Sequence, residues 1–421
     1  MRVIRLELSD FRNYSSLHFE PGPGLNILVG PNAQGKSNLL ESLYVLATTK
    51  SMRAGRDADM VRFGADVCRV VAEVARETSG DVALEMAVGA PGAAGIGVER
   101  KLVKINHARQ SRVTDLIGSL NAVLFSSVDL DIVRGEPEER RRFLNYEIAQ
   151  VSPAYVLALG AYRRALEQRN RLLKDVRFGH ADSASLDAWT EQIVRHGAKL
   201  MERRRAYLDK LAAHAGEVHQ ALTDGRETLV VEYAPSFGLG DAVTAEEVSA
   251  AFDRALAALR RDEMQRGSTL LGPQRDDLVF RVGESAGTAV DARTFGSQGQ
   301  QRTVALSLRL AERRLIEEMV GEPPVVLLDD VLSDLDERRR AQIFALALSG
   351  GQTFLTTTDL GALPEEAVAR ASVWNVTAGV VAPEQQEPAA AVVAVAEDAP
   401  RRTSRAKSRP KPETNETRLS S

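Results

Sequence analysis

Gly30-Pro31-Asn32-Ala33-Gln34-Gly35-Lys36-Ser37 has the residue types and the spacing to hold a triphosphate. Glycines let a backbone wrap until successive N–H groups point at phosphate oxygens, Lys36 sets a cation against the β- and γ-phosphates, and Ser37 offers a hydroxyl to Mg2+. The helix expected from Lys36 adds the positive end of its dipole. A second segment, Val325-Val326-Leu327-Leu328-Asp329-Asp330, is an apolar run that ends in two carboxylates. As a buried strand it delivers Asp329 to a sheet edge, where it can hold Mg2+, and sets Asp330 to orient or deprotonate an attacking water. A third, Ser297-Gln298-Gly299-Gln300-Gln301-Arg302, opens a long helical pattern. A serine hydroxyl, a glycine that permits close approach and free N–H groups at a helix start make an anion site. Each segment also has a plainer reading: a glycine-rich turn, a core strand with solvated acids at its end, a helix cap. Their coincidence in one chain points to ATP and Mg2+. Asp336, in Ser333-Asp334-Leu335-Asp336 just past the acidic strand, suits the cap of the next helix.

The surrounding pattern must position these groups. Alternation of apolar and charged residues from Val3 to Leu8, then Leu17 and Phe19, predicts short strands, and Leu25-Asn26-Ile27-Leu28-Val29 a buried one leading into the glycine-rich loop. A helix follows over 36–46. Residues 67–105 alternate again, with breaks at Gly80, Gly92, Gly95 and Gly97, and read as antiparallel strands. From Glu136 the pattern is helical, with Pro137 suited to a first turn and Glu138 and Glu139 to the positive helix end. Residues 153–176 and 184–222, separated by Phe178-Gly179-His180-Ala181-Asp182, form an antiparallel helical hairpin, an arm about 35 Å long at the usual helical rise. Strand-like stretches follow at 228–234, 277–282 and 288–295, and Thr244-Ala245-Glu246-Glu247 is a capping box opening a helix to about Gln265. A helix from about Gly299 to Met319, the acidic strand, a helix near 338–348 and the strand Thr353–Thr357 complete the order. Strands and helices alternating at both chain ends predict one α/β domain built from both termini, with the helical arm inserted. The division is residues 1–135, the first part of the α/β head; 136–268, the arm; 269–382, the second part of the head; and 383–421, a tail of Pro, Ala, Glu and basic residues that reads as disordered.

Composition is that of a globular protein, 44% hydrophobic and 27% charged, and a net charge of -4 demands no nucleic-acid partner. Any such contact must use local runs, of which Arg140-Arg141-Arg142, Arg163-Arg164, Arg203-Arg204-Arg205 and Arg260-Arg261 are candidates, each equally an ordinary solvated helix face. The one cysteine, Cys68, excludes an intrachain disulfide and a cysteine-chelated zinc, and fits a reducing cytoplasm. No apolar run reaches the roughly 18 residues that would suggest a membrane span.

Taken in order, the motifs resemble the RecF family of bacterial repair ATPases, relatives of the SMC and ABC-type ATPases. The marks are Phe11-Arg12-Asn13-Tyr14, the phosphate loop with Asn38-Leu39-Leu40-Glu41 after it, Arg140-Arg141-Arg142-Phe143-Leu144, Gly272-Pro273-Gln274-Arg275-Asp276-Asp277-Leu278, the 297–303 signature, and Leu328-Asp329-Asp330-Val331-Leu332-Ser333. The resemblance runs from Met1 to about Val381. It departs at Gln274 and Met52, where the family usually has histidine.

The resemblance implies an ABC-type head that closes as an ATP-dependent homodimer around two nucleotides. Ser297, Gly299 and Gln300 would face the γ-phosphate held by the other subunit, with Asp336 making a further contact across the dimer. Asp359, after Thr356-Thr357-Thr358, falls where the family's switch loop reaches the γ-phosphate, and Arg53 is a candidate near nucleotide or DNA. The resemblance also implies a weak DNA-stimulated ATPase, binding to single-stranded and gapped duplex DNA with Arg140, Arg141 and Arg142 as candidate contacts, help in loading RecA with RecR and RecO, and support of SOS induction. The rival readings are a transporter-type ATPase subunit and a non-catalytic nucleotide-gated scaffold. Against the transporter, more than half the chain separates Lys36 from Ser297.

Overall fold

The computed structural model describes residues 1–92, 101–240, 242–332 and 336–384. Gly95, Gly97, the 333–335 stretch and the tail beyond Glu384 lie outside them. Three sheets organise the described residues. The first, in the order β2-β1-β4-β5-β6-β7, is antiparallel: β1 (Arg2–Phe11), β2 (Tyr14–Phe19), β4 (Val67–Ala75), β5 (Val82–Gly89), β6 (Lys101–Ile105) and β7 (Ala108–Arg109). In β1, residues Val3, Leu6 and Leu8 are buried while Arg2, Ile4 and Ser9 are exposed, the period expected of a sheet with one wet face.

The central sheet runs β15-β14-β3-β13-β12-β8, from β3 (Leu25–Val29), β8 (Ala122–Ser126), β12 (Val325–Asp329), β13 (Thr353–Thr357), β14 (Ser372–Thr377) and β15 (Val380–Pro383). All its pairings are parallel except that of β14 with β15. Strands from both chain ends therefore lie side by side. Such strands are buried on both faces and read as unbroken apolar runs. Leu327 and Leu28 enter the core shared with the first sheet and α1 (Lys36–Thr48), while Leu25, Ile27, Val326 and Leu328 enter the opposite core. That second core is closed by α7 (Gln298–Val320), α8 (Glu337–Leu348) and the end of α5 (Leu186–Thr223). The two chain ends are also pinned by polar contacts. The Gln352 side chain bonds both the N–H and C=O of Val3, at 2.7 and 2.9 Å. The Met1 ammonium meets the buried Glu322 at 3.1 Å.

Between these strands stand α2 (Leu130–Arg134), α3 (Pro137–Val151), α4 (Pro153–Arg177), α5 and α6 (Ala245–Arg266). Breaks and starts follow local chemistry: Pro137 and Pro153 open their helices, and Thr244 with Glu247 forms the expected capping box. A small antiparallel sheet, β11-β10-β9, comprises β9 (Thr228–Ala234), β10 (Asp277–Gly283) and β11 (Val290–Asp291). β9 and β10 pair over seven residues, across the boundary expected at 268/269, and Leu278, Phe280 and Val282 share a core with Tyr162, Ile193 and Phe252 of the helices. The strand expected over 288–295 reduces to Val290–Asp291. Beyond it the chain turns, with Phe295 N–H donating to Asp291 O and Gly296 N–H to Ala292 O, so that Ser297 can start α7. A last short helix, α9 (Glu365–Ala369), precedes β14. No helix among the described residues is long and apolar enough to cross a membrane.

Candidate nucleotide site

The loop between β3 and α1 and the ends of β12 and β13 leave the same edge of the central sheet, because register sets Thr357 beside Val29 and Leu328 beside Leu355. Crevices beyond the carboxyl ends of parallel strands are where ligands bind in open α/β sheets. Here a cavity of about 170 Å3 is lined by the loop from Asn32 to Asn38, with Arg53, Asp330, Thr356 and Thr358. Gly35 caps α1 at φ 118°, where a Cβ would lie 2.7 Å from Asn13 Nδ2, so both the backbone conformation and the space require glycine.

The loop is braced from behind by the Phe11–Tyr14 turn. Asn13 Nδ2 donates to Gln34 O at 3.0 Å and Tyr14 Oη to Gly35 O at 3.0 Å, while Asn38 Nδ2 donates back to Asn13 Oδ1 at 2.8 Å. Arg12 holds the buried Glu41 of α1 through two bonds, at 3.0 and 2.6 Å. From the other side, Ala378 N–H donates to Gln34 Oε1 at 2.7 Å. Sequence reading took Phe11-Arg12-Asn13-Tyr14 only as a family mark. The bracing could not be read there, since residues about twenty apart in the chain meet through the fold.

Lys36 Nζ donates to the carbonyls of Gly30 and Pro31 at 2.5 and 2.8 Å. Burial lowers its pKa from the usual lysine value, and Asp330 and Asp329 pull the other way. Ser37 Oγ donates to Asp329 Oδ1 at 2.6 Å, and Thr356 Oγ1 donates to the same oxygen at 3.2 Å. Arg53 reaches Asp329 Oδ2 at 2.5 Å. Asp330 follows at φ 52°, with its N–H on Thr356 Oγ1 at 2.9 Å. Thr356 thus holds both acids in place, a role that sequence reading missed. Its signal was a hydroxyl residue at the end of the neighbouring parallel strand. One hydroxyl and one carboxylate are a suitable donor pair for Mg2+, a hard cation that takes its other ligands from phosphate and water.

The signature lies elsewhere. Ser297 is exposed, caps α7 by accepting from Gln300 N–H at 3.2 Å, and is not among the residues lining the P-loop cavity. Gln300 Oε1 accepts from Ser297 N–H at 2.9 Å, and its Nε2 donates to Glu227 Oε1 at 2.9 Å. Asp336 caps α8 and pairs with Arg339 at 2.5 Å, and Arg339 also donates to the Gly299 carbonyl at 3.1 Å. The signature turn and the Asp336 cap are thereby tied together. Asp359 accepts from Gly361 N–H at 2.8 Å and is exposed, one residue beyond Thr358 but not itself lining the cavity.

Among the arginines expected at DNA, Arg140 needs correction. It is 3% exposed and chelated by Asp277 at 2.7 and 2.9 Å, so it is a structural cation rather than a free one. Arg141 donates to Asp276 O at 2.8 Å, Arg142 is exposed beside Glu139, and Arg53 sits in the nucleotide cavity itself. Gln274, where the family usually has histidine, donates to Leu271 O at 2.8 Å and accepts from Tyr162.

The family model described as RecF/RecN/SMC N terminal domain matches residues 2–359. DNA replication and repair protein RecF of Oceanobacillus iheyensis is 37% identical over 382 residues, 90% of this chain and 100% of that protein. Its counterpart in Halalkalibacterium halodurans is 39% identical, over 90% of this chain and 98% of that protein.

The chain belongs to the RecF family.

RecF resemblance extends through the arm. A solved structure of the recombination mediator protein RecF with ATP, in the RecFOR pathway, superposes with a TM-score of 0.82 at 28% identity, covering 91% of this chain and 97% of that one. An Smc head domain from Pyrococcus yayanosii shares the fold alone, with a TM-score of 0.51 at 14% identity over 91% of this chain and 96% of that one.

Proposed function

We propose that this RecF-family chain is an ATP-gated DNA-binding protein of replication and recombinational repair, whose two copies close around two ATP molecules. What carries the reading is the division of the site. Lys36, Ser37, Asp329 and Asp330 gather at one cavity, while the capped Ser297 turn, itself built as an anion site, is exposed away from it. Each copy offers a half that only a second copy can complete. The RecF relatives, matched over nearly their whole length with the arm included, support this reading over a transporter motor or a passive scaffold.

In the closed pair, Lys36 exchanges the Gly30 and Pro31 carbonyls for phosphate oxygens. Ser37 and Asp329 hold Mg2+, which neutralises charge on the β- and γ-phosphates. Asp330, fixed by Thr356, orients the attacking water, with Asp359 near the γ-phosphate. Ser297, Gly299, Gln300 and Asp336 bind from the partner side. Because those contacts exist only in the closed state, ATP holds the pair and hydrolysis releases it. Slow, DNA-stimulated turnover suits such a switch. The clients are single-stranded and gapped duplex DNA, with RecR and RecO as partners in loading RecA.

Light scattering with and without ATP tests the division. Wild type doubles in mass with ATP, Lys36→Met neither binds ATP nor dimerises, and Ser297→Arg binds ATP but stays monomeric. A Ser297→Arg protein that dimerises normally overturns the reading.

A further inference from the structure

A hollow of about 340 Å3 lies between α3 and α4, closed by the Pro273–Gln274 turn, and its lining contains four arginines, Arg141, Arg142, Arg163 and Arg204, against one acid, Glu138. Arg204 forms the fixed floor: it is 2% exposed and donates to Tyr155 Oη at 3.0 Å, Pro273 O at 2.7 Å and Asn145 Oδ1 at 3.0 Å, with Asp276 at 3.7 Å. The other three are not neutralised to the same degree. Arg141 donates to a neutral carbonyl, Asp276 O. Arg142 pairs with Glu139 at the surface, where ion pairs hold weakly. Arg163 is exposed and has no hydrogen bond or ion pair among the described residues. Tyr146 and Leu159 add an apolar wall on which a sugar or base can lie.

The hollow is not isolated. Arg142 and Tyr146 also line a smaller cavity that reaches Ser51 and Met52, and the next residue, Arg53, lines the P-loop cavity. The smaller cavity thus lies between the hollow, through the shared Arg142, and the 51–53 segment that ends at the P-loop cavity. We propose that this hollow is a binding site for the phosphate backbone of a nucleic-acid strand, with Arg163, Arg142 and Arg141 contacting successive phosphates. A run of cations beside an aromatic wall matches evenly spaced phosphates joined by stacking bases better than it matches an acidic protein. The inference rests on the DNA reading above and adds a location to it.

Fluorescence anisotropy of the full chain with ATP, on labelled single-stranded and gapped duplex DNA over a series of salt concentrations, tests it. Arg163→Glu is compared with Arg164→Glu, the same charge change one residue along α4 and outside the hollow. Arg163→Glu is expected to weaken DNA binding about tenfold and to lower the salt slope by about one, Arg163→Ala to fall between, and Arg164→Glu to change little. Melting temperatures show whether each variant is folded, and Arg163→Ala serves if the glutamate is not tolerated. The proposal is overturned if both glutamate variants weaken binding equally, if neither does, or if an acidic peptide loses affinity and DNA does not. If wild type binds no DNA at all, the DNA reading itself fails, which is a distinguishable result.

Discussion

At the scale of single residues, the site is organised by saturating one carboxylate. Asp329 takes bonds from Ser37, Thr356 and Arg53, three residues from three separate segments. Lys36, Ser37 and Asp329 were legible because their types and spacing are dictated by phosphate and metal chemistry. Thr356 and Asn13 were not, since a hydroxyl or amide has no distinctive pattern until the fold brings it to a partner. The same holds for Glu322. Burial alone would raise its pKa, yet the Glu77 N–H, Arg76, Thr78 and the N-terminal ammonium bring it down from 4.5 to about 2. A carboxylate whose folded pKa lies below its unfolded value stabilises the fold above the unfolded value and loses that contribution as pH falls through the folded one. Glu322→Ala should therefore lower stability at neutral pH by about 3 kcal/mol, as removal of one member of a buried pair does. The gap between wild type and variant should close as pH falls from 4.5 towards 2. Urea unfolding at pH 7 and at pH 3 measures it, and a gap that stays constant contradicts the assignment.

At the scale of elements, periodicity located the long helices and the buried strands on either side of the phosphate loop. It failed where an element takes its identity from its neighbours. β8 pairs with β12 over five residues at the sheet's edge, yet periodicity does not identify it, because a short apolar run suits a strand or a buried helix equally. The 288–295 stretch alternates like a strand but turns after two residues to launch α7. The start of α7 is itself held from outside. Gln300 bonds Glu227, just past the end of α5, and Glu227 faces His219 Nε2 at 3.5 Å, while His219 Nδ1 meets Ser307 Oγ of α7 at 3.1 Å. α7 is thus held at two points, Gln300 in its first turn by Glu227 and Ser307 further along by His219 of α5. Glu227→Ala removes the charged acceptor from Gln300 and leaves the P-loop cavity as it is. A bond of this kind contributes about 1.5 kcal/mol, so ATP-dependent dimerisation should weaken about tenfold with ATP affinity of the monomer unchanged. Glu227→Gln, which keeps an acceptor, should recover most of the loss. Sedimentation with ATP reads both, and an Ala variant that dimerises as wild type does removes Glu227 from the positioning role.

For the whole molecule, the question is where the completed site resides. The central sheet joins residues 25–29 to 325–329 and 353–357 in one folded body, whose exposed Ser297 turn does not line its P-loop cavity. The alternation of elements at both chain ends was enough to foresee that joining, while the absence of Ser297 from the P-loop cavity's lining required the fold. A ligand that binds only the native state raises its stability by an amount set by its concentration over its dissociation constant, about 2.7 kcal/mol at a hundredfold excess. If one copy held ATP alone, that gain would not depend on how much protein is present. If two copies share each ATP, dimerisation adds to it, and the gain grows with protein concentration. In saturating Mg-ATP, raising wild-type protein from about 1 to about 30 µM should lift the melting temperature by roughly 2 °C beyond any shift without nucleotide. Lys36→Met should show no rise with ATP at either concentration. Ser297→Arg should show the ATP-dependent rise but the same one at both, because its P-loop still binds and its signature no longer closes. Scanning calorimetry distinguishes the three, and a wild-type rise independent of concentration would place the whole ATP site within one chain.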